Sequence, residues 1–133
     1  MHEETAAATW LEAWAGEPFA YLTTIGRQTG RPHRIEIWFA FEAGRVYLLS
    51  GGRDRSDWVR NLQTNSHVNV EVHGETREGQ ARVLQAGTDE DRRARELLVA
   101  KYRQGNDLDE WGRTSLAVVI EFAANPVGLP GAS

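Results

Sequence analysis

The sequence predicts a mainly β fold, a small closed or split barrel of six antiparallel strands with three inserted helices. Six short segments alternate between apolar and polar residues with a period of two. Most of them are joined by turns that are too short for the crossover connections of a parallel sheet. No Gly-x-Gly-x-x-Gly pattern opens a helix after the first strand, which argues against a Rossmann unit.

The first predicted elements are a helix and a strand. Residues 5–15 place apolar side chains on one face at helical spacing, and Pro18 ends this helix. Residues 19–25 are rich in aromatic and β-branched side chains and stop at Gly26, which is typical of a strand. We interpret the tryptophans outside the strands as ordinary packing residues: Trp10, Trp14 and Trp111.

A long strand is predicted over residues 35–41. One face carries Ile35, Ile37, Phe39 and Phe41, and the other carries Glu36, Trp38 and Ala40. Ala43 and Gly44 then form a tight turn into a strand over residues 46–50. An outward Trp38 is unusual for a monomer, and it predicts a dimer surface in preference to the face of a flat aromatic ligand.

The middle of the chain predicts a short helix and a second hairpin. Ser56 is placed to cap a helix that continues to about Gln63. Residues 67–73 alternate again and place three valines inward. Gly74 and Glu75 then turn the chain into a more polar strand over residues 76–86.

The last predicted elements are a helix and a strand. Thr88 is a good N-cap, and the three acidic residues after it complement the positive end of the helix. The inward side chains of this helix are Ala94, Leu97, Leu98 and Tyr102, and the helix ends at Gly105. A strand follows over residues 115–122. We therefore predict one domain over residues 1–124 and a flexible tail over residues 125–133, where Pro and Gly break any regular pattern.

Composition excludes several classes of function. The 133 residues suffice for one domain, and the absence of cysteine excludes disulfide scaffolds, thiolate metal sites and cysteine nucleophiles. The net charge of -4 disfavours nucleic-acid binding. The acidic N-terminus is unlike a signal peptide, and apolar runs of five residues are far too short to span a membrane. These observations predict a cytoplasmic protein.

Two arginine-containing loops are the strongest candidate sites. Residues 26–34 hold three arginines, two glycines and no acid, so their backbone and side chains can bind an anion such as phosphate. Residues 50–58 end a strand and begin a helix beside Arg53 and Arg55, and helix N-termini also favour anions. The alternatives are a solvated hairpin tip and a loop whose arginines are neutralised by Asp54 and Asp57.

Metal and hydrolase chemistry find no support in the sequence. His67 and His73 lie on one strand, about 20 Å apart at the usual rise per residue, so they cannot share a metal ion. No Gly-x-Ser-x-Gly elbow accompanies the Ser, His and Asp residues. We therefore predict no metal and no catalytic triad.

Two motifs resemble a known family. The run Ala20-Tyr-Leu-Thr-Thr-Ile-Gly-Arg-Gln-Thr-Gly-Arg-Pro32 resembles the opening of the deazaflavin-dependent nitroreductases. So does Gly51-Gly52 with the later Ser-Asp-Trp-Val-Arg-Asn-Leu run at residues 56–62. These enzymes belong to the flavin and deazaflavin oxidoreductase superfamily, which shares the split β-barrel of the pyridoxamine 5′-phosphate oxidases. The match covers roughly residues 19–73.

The resemblance implies a fold, a cofactor and a set of binding residues. The fold is a six-stranded Greek-key-like split barrel of the FMN-binding type, often a homodimer with the cofactor groove at its interface. The cofactor is coenzyme F-420, a deazaflavin with a phosphodiester and a glutamate tail, which arginines suit chemically. The cofactor-binding positions are Arg27, Thr29, Gly30, Arg31, Pro32, His33, Arg34, Ser50, Gly51, Gly52, Arg53, Arg55, Trp58 and Asn61. Many relatives have lysine at the position of Gln28, so one anion contact is lost here.

The implied activity is hydride transfer from reduced F-420 to an electron-poor small molecule such as an enone, quinone or nitro compound. Such a reaction needs no nucleophile, and the sequence has no obvious proton donor. The candidates for that role are Glu36, Tyr47, Ser50 and His33. Three alternatives stay open: an FMN-dependent enzyme, a non-catalytic carrier of flavin or haem, and a structural protein whose site has decayed.

Overall fold

The computed structural model of the protein describes residues 12–103 and 107–122. The strands are β1 (Ala20–Ile25), β2 (Pro32–Ile37), β3 (Ala40–Glu42), β4 (Arg45–Ser50), β5 (His67–Val72), β6 (Glu75–Val83) and β7 (Leu116–Phe122). The helices are α1 (Asp57–Thr64), α2 (Asp89–Tyr102) and α3 (Asp109–Thr114), and a 3-10 turn covers Arg53–Arg55.

The strands form one curled antiparallel sheet in the order β2-β1-β5-β6-β7-β4-β3. This confirms the predicted mainly β barrel-like class, with seven strands in place of six. The extra strand arises because the predicted strand over residues 35–41 is broken at Trp38 and Phe39. There the Phe39 N–H donates to the Tyr102 hydroxyl at 3.1 Å, a side chain of α2. The chain thereby leaves the β1–β2 ladder and joins β4 as β3.

Two hairpins turn on pairs of residues with positive φ. Ala43 and Gly44 have φ values of 55° and 79°, and they join β3 to β4 as predicted. His73 and Gly74 have φ values of 54° and 79° and join β5 to β6. Consecutive positive φ values are the mark of type I′ turns, whose twist matches that of the strands. The second turn therefore lies one residue earlier than predicted, and Glu75 belongs to β6.

The sheet has a hydrophobic layer on each face. The inner face of the curl holds a core to which both ends of the sheet contribute, and the valines of β5 lie inward as predicted. The second layer lies between the outer face of β3, β4 and β7 and helix α2, which contributes Ala94 and Leu98. The fully buried inner residues of β5, β1 and β4 include Val68, Val70, Val72, Leu22, Val46 and Leu48.

Trp38 belongs to the second layer, which corrects the prediction of an outward side chain. Its ring stacks on Tyr102 at 4.3 Å with an interplanar angle of 2°, and it meets Trp111 edge to face at 5.5 Å. The break in the strand places Trp38 under α2 and α3 instead of on an open face. Trp38 is thus an intramolecular packing residue, and the packing role predicted for Trp111 is confirmed.

The helix ends agree only partly with the predictions. Thr88 caps α2 as expected, since its hydroxyl accepts from the Asp91 N–H at 3.2 Å. Ser56 occupies the N-cap position of α1, but its hydroxyl bonds to the Ser50 hydroxyl at 2.8 Å instead of capping the helix. Helix α3 was not predicted. Three predictions concern residues outside the described ranges: Trp10 with most of the first helix, the helix end at Gly105, and the tail over residues 125–133.

The segment before β1 is attached to the domain by ring stacking and by hydrogen bonds to its backbone. Trp14 stacks on His73 at 3.7 Å, which confirms its predicted packing role. The Lys101 ammonium donates to the carbonyl oxygens of Ala15 at 2.9 Å and Phe39 at 3.0 Å. No helix within residues 12–103 and 107–122 has the length and apolar character needed to cross a bilayer.

Lys101 should make stability rise with pH in mildly alkaline solution. Burial lowers the pKa of Lys101 to about 8, below its ordinary value of 10.5. Between these values the unfolded chain holds a proton that the folded chain has released, so unfolding becomes harder as pH rises. With a discount for partial exposure, we expect a gain of about 1 kcal/mol between pH 8 and 9.5 in urea unfolding. A Lys101→Met variant should lose this slope, and an unchanged slope would contradict the assignment.

Candidate functional site

Helix α1 is the element that joins the two loops singled out by the sequence. The first loop is residues 26–31, between β1 and β2, and the second loop is residues 51–56, between β4 and α1. Arg27 of the first loop donates to the Asp57 carboxylate at 3.1 Å. Arg60 of the helix donates to the main-chain oxygen of Asp54 in the second loop at 3.3 Å. The N-terminal half of α1 therefore lies against both loops.

The first loop is closed by its own backbone. The Gly26 N–H donates to the Arg31 carbonyl at 2.7 Å, and the Gly30 N–H donates to the Gly26 carbonyl at 2.8 Å. Gly30 has a φ of 74°, a conformation that glycine adopts without strain. A Cβ at Gly26 would lie 2.6 Å from His33 Nε2 and 2.9 Å from Thr29 Oγ1. Glycine at position 26 thus lets these two side chains close over the backbone.

Asn61 fixes the first loop to the helix and to the sheet. Its Oδ1 accepts from the Arg27 backbone N–H at 3.1 Å and from Arg27 Nη1 at 2.8 Å. Its Nδ2 donates to the Thr24 hydroxyl at 3.1 Å. Asn61 and Thr24 are 3% and 1% exposed. Since buried polar groups need partners, this three-way arrangement holds the loop in one position.

A small cleft lies between the first loop and α1. Its volume is about 160 Å³, below the usual range for a site that encloses a whole drug-sized ligand. It is lined by Gly26, Arg27, Gln28, Thr29, His33, Asp57 and Asn61. The donors in this set, with a guanidinium, a hydroxyl and an imidazole, suit a group of phosphate size. The remainder of a larger ligand would lie outside the cleft.

Arginines without acidic partners gather around the two loops. Arg27 and Arg34 are paired with Asp57 and Glu71 at 3.1 and 3.0 Å. Most of the arginines in β4, β6 and α2 also have carboxylate partners. Six arginines have no carboxylate partner among the described residues. Four of them lie in the two loops or in α1: Arg31, Arg53, Arg55 and Arg60. The other two, Arg103 and Arg113, lie elsewhere in the chain. All four are exposed, so this end of an acidic protein keeps uncompensated positive charge.

The second loop does not line the cleft. Its predicted binding residues Gly51, Gly52, Arg53 and Arg55 are exposed but are not among the lining side chains. Arg53 donates through Nε to the Thr114 carbonyl at 3.0 Å and has a φ of 56°.

Two of the four candidate proton donors are buried in structural roles. The Ser50 hydroxyl is 2% exposed, and it bonds to the Arg53 carbonyl at 2.9 Å and to Ser56. Tyr47 is 5% exposed under α2, where its hydroxyl donates to Glu90 at 2.9 Å. Burial and this carboxylate raise the pKa of Tyr47. Neither residue lines the cleft, and a proton-donor role for either hydroxyl stays a prediction.

The other candidates divide between the cleft and the sheet surface. His33 lines the cleft, whereas Glu36 lies on the outer face of β2 and accepts from the Tyr21 hydroxyl at 3.2 Å. Arg34 lies on that outer face too, with its guanidinium 4.0 Å from the centre of the Tyr21 ring. Trp58 packs against the inner core. Of the binding residues predicted at positions 27–33, Arg27, Thr29 and His33 line the cleft. The others, Gly30, Arg31 and Pro32, are exposed and do not line it.

Two residues of the site were missed by the sequence reasoning. Thr24 lies two positions after Leu22, on the same core face of β1, and this period-two pattern was a signal that the sequence offered. Asp57 was interpreted as a partner of the second-loop arginines, but it pairs with Arg27, thirty positions earlier. No local signal reports that pairing. Within the described ranges no group of three or more His, Cys, Asp or Glu side chains is placed to hold a metal ion.

A family model described as F420H(2)-dependent quinone reductase matches residues 1–123. The chain belongs to this family. The F420H(2)-dependent quinone reductases are oxidoreductases that use reduced coenzyme F-420, so this chain is an F-420-dependent oxidoreductase. The predicted resemblance to deazaflavin enzymes is thereby confirmed.

Several solved structures share the fold of this family member, although their sequence identity to it is low. The F420-H2 dependent reductase FDR-A has 21% identity and a TM-score of 0.66, over 79% of this chain and 95% of its own. A protein described as a domain-swapped dimer has 21% identity and a TM-score of 0.65, over 79% and 81%. HutZ, the haem storage protein of Vibrio cholerae, has 15% identity and a TM-score of 0.69, over 86% and 88%. These likenesses establish the split-barrel fold.

Proposed function

We propose that the protein transfers hydride from reduced F-420 to a small electron-poor acceptor, a quinone, an enone or a nitro compound. The cleft between the first loop and α1 would hold the phosphodiester of the cofactor. The observation that carries this proposal is a phosphate-sized cleft at the end of the protein where exposed arginines have no acidic partner among the described residues, in a member of an F-420-dependent family.

The residues present fit an anionic cofactor tail. Arg31 and Arg55 have no acidic partner among the described residues, so their guanidinium groups are available to charged oxygens. The hydroxyl of Thr29 and the ring of His33 face the cleft beside Arg27. The remaining predicted contacts, from Gly51, Gly52 and Arg53, would serve the part of the cofactor that extends past α1.

The protein contributes binding and orientation to the reaction. When bound, the deazaflavin supplies the hydride. The arginines hold the charged tail, and Asn61 keeps the first loop in register with α1, so that the ring system is presented in one orientation. His33 is the one predicted proton donor that lines the cleft, where its ring would contact the bound tail.

We also propose a homodimer. The cleft is too small to enclose the cofactor, so a second copy would supply the remaining wall. One structural neighbour is itself described as a domain-swapped dimer. The cytoplasmic location stays a prediction.

The test is oxidation of reduced F-420 by the purified protein with menadione, an enone and a nitroaromatic compound as separate acceptors. We expect loss of reduced F-420 with at least one acceptor and none without protein. A protein that purifies yellow with FMN and does not oxidise reduced F-420 would be an FMN enzyme instead. Tight binding of reduced F-420 without turnover would indicate a carrier, and no binding of either cofactor would indicate a structural protein.

A further inference from the structure

An acidic side chain stands in the cleft that is proposed to bind an anion. Asp57 is the sole carboxylate among the described residues that line this cleft. Its Oδ1 accepts from Arg27 Nη2 at 3.1 Å, and its side chain is 84% exposed. The side chain of Arg27 is 25% exposed, and its charge is paired with that of the more exposed carboxylate. The pair contributes no net charge to the cleft.

The charge of the phosphate group that enters the cleft decides how this carboxylate affects binding. A phosphodiester group, as in F-420, carries one negative charge. A phosphate monoester group, as in FMN, carries nearly two at pH 7, because its second pKa is about 6. Either group must approach the Asp57 carboxylate, and the repulsion grows with the charge of that phosphate group. The arginines outside the cleft attract both ligands, so the carboxylate inside it is where the two are distinguished.

We propose that Asp57 is a specificity-determining residue, which penalises phosphomonoesters in the cleft between the first loop and α1 and so favours F-420 over FMN. This inference rests on the proposed function, since it concerns the same cleft. Asp57 would distinguish the two cofactors by repelling the more highly charged phosphate group, whereas the arginines around the loops attract both cofactors. It also gives a physical reason for an acid in an anion site.

The position of Arg27 does not depend on Asp57 alone. Asn61 accepts from both the backbone N–H and Nη1 of Arg27, and it is itself held by Thr24. Removal of the Asp57 charge therefore leaves the charge of Arg27 uncompensated without releasing the loop. An Asp57→Asn variant should gain affinity for phosphate groups, and the gain should be greater for the ligand whose phosphate group carries the greater charge.

The experiment measures binding of FMN, riboflavin and F-420 to wild type and to Asp57→Asn by tryptophan quenching. Riboflavin has no phosphate, so the ratio of FMN affinity to riboflavin affinity isolates the phosphate contribution. We expect this ratio to rise about 5- to 10-fold in the variant, F-420 affinity to rise about 2- to 3-fold, and riboflavin affinity to stay constant. Asp54→Asn is the matched control, because Asp54 is an exposed acid of the second loop outside the cleft.

Three results would overturn the inference. The first is an equal gain for FMN and F-420, and the second is weaker binding of both, which would make Asp57 a support for Arg27. The third is the same change in the Asp54→Asn control, which would reduce the effect to net charge. Failure of F-420 to bind wild type would instead refute the proposed function, and the FMN-to-riboflavin ratio would still decide the role of Asp57.

Discussion

Replacement of Arg31 and Arg55 together by alanine should weaken F-420 binding by about 2–4 kcal/mol, or roughly 30- to 900-fold. Both side chains are exposed and have no acidic partner among the described residues. Their removal therefore breaks no ion pair of the folded protein, and the whole effect should appear in the binding constant. The measurement is a titration with F-420, with thermal unfolding as the check that stability is unchanged.

The matched control is the double variant Arg92→Ala with Arg103→Ala. It removes the same charge from exposed positions in and just after α2, away from the loops. We expect its F-420 affinity to stay within about 2-fold of wild type at physiological salt, since exposed charges beyond about 8 Å are largely screened there. Equal losses in the two double variants would refute the assignment of an anion site to the loops.

Asn61→Leu should lower the free energy of unfolding by about 2–4 kcal/mol. The substitution keeps the approximate volume but leaves the Thr24 hydroxyl and the Arg27 backbone N–H without their partner. Thr24 is 1% exposed, so solvent cannot replace the lost bond. Because the first loop is then no longer tied to α1, F-420 binding should fall as well, at temperatures where the variant is still folded. Urea unfolding measures the stability.

Thr24→Val separates the two halves of this arrangement. It removes only the bond from Asn61 Nδ2 and keeps both bonds from Arg27, so we expect a smaller loss, about 1 kcal/mol, with F-420 affinity retained. A loss below about 0.5 kcal/mol for Asn61→Leu would show that Asn61 is not a structural support of the loop.

Most of the sheet could be predicted from the sequence because its signals are local. Alternation identified the inward valines of β5, and glycines marked the turns after β3 and β5. The break at Trp38 and Phe39 could not be predicted. It depends on the hydroxyl of Tyr102 and the ammonium of Lys101, which lie more than sixty positions away and bond to the Phe39 backbone. Periodicity over residues 35–41 is the same with or without that interruption.

The candidate site could be predicted in part for the same reason. Glycine and arginine singled out the first loop, which lines the cleft, and Asn61 was included through the family resemblance. Sequence spacing did not distinguish arginines that have an acidic partner from those that have none. Arg27 is paired, whereas Arg31 has no acidic partner within residues 12–103 and 107–122, although both lie in one short loop without acids. The difference arises from a carboxylate that tertiary folding brings to Arg27.

The position of β7 in the sheet has a consequence for how the protein folds. Strands β1–β2, β3–β4 and β5–β6 are hairpins of neighbouring segments, which form quickly because their loops are short. β4 joins the other strands only through β7, which pairs with it on one side and with β6 on the other. The β3–β4 hairpin must therefore wait for a segment synthesised more than sixty residues later. Such non-local pairing predicts slow folding, limited by the docking of β7.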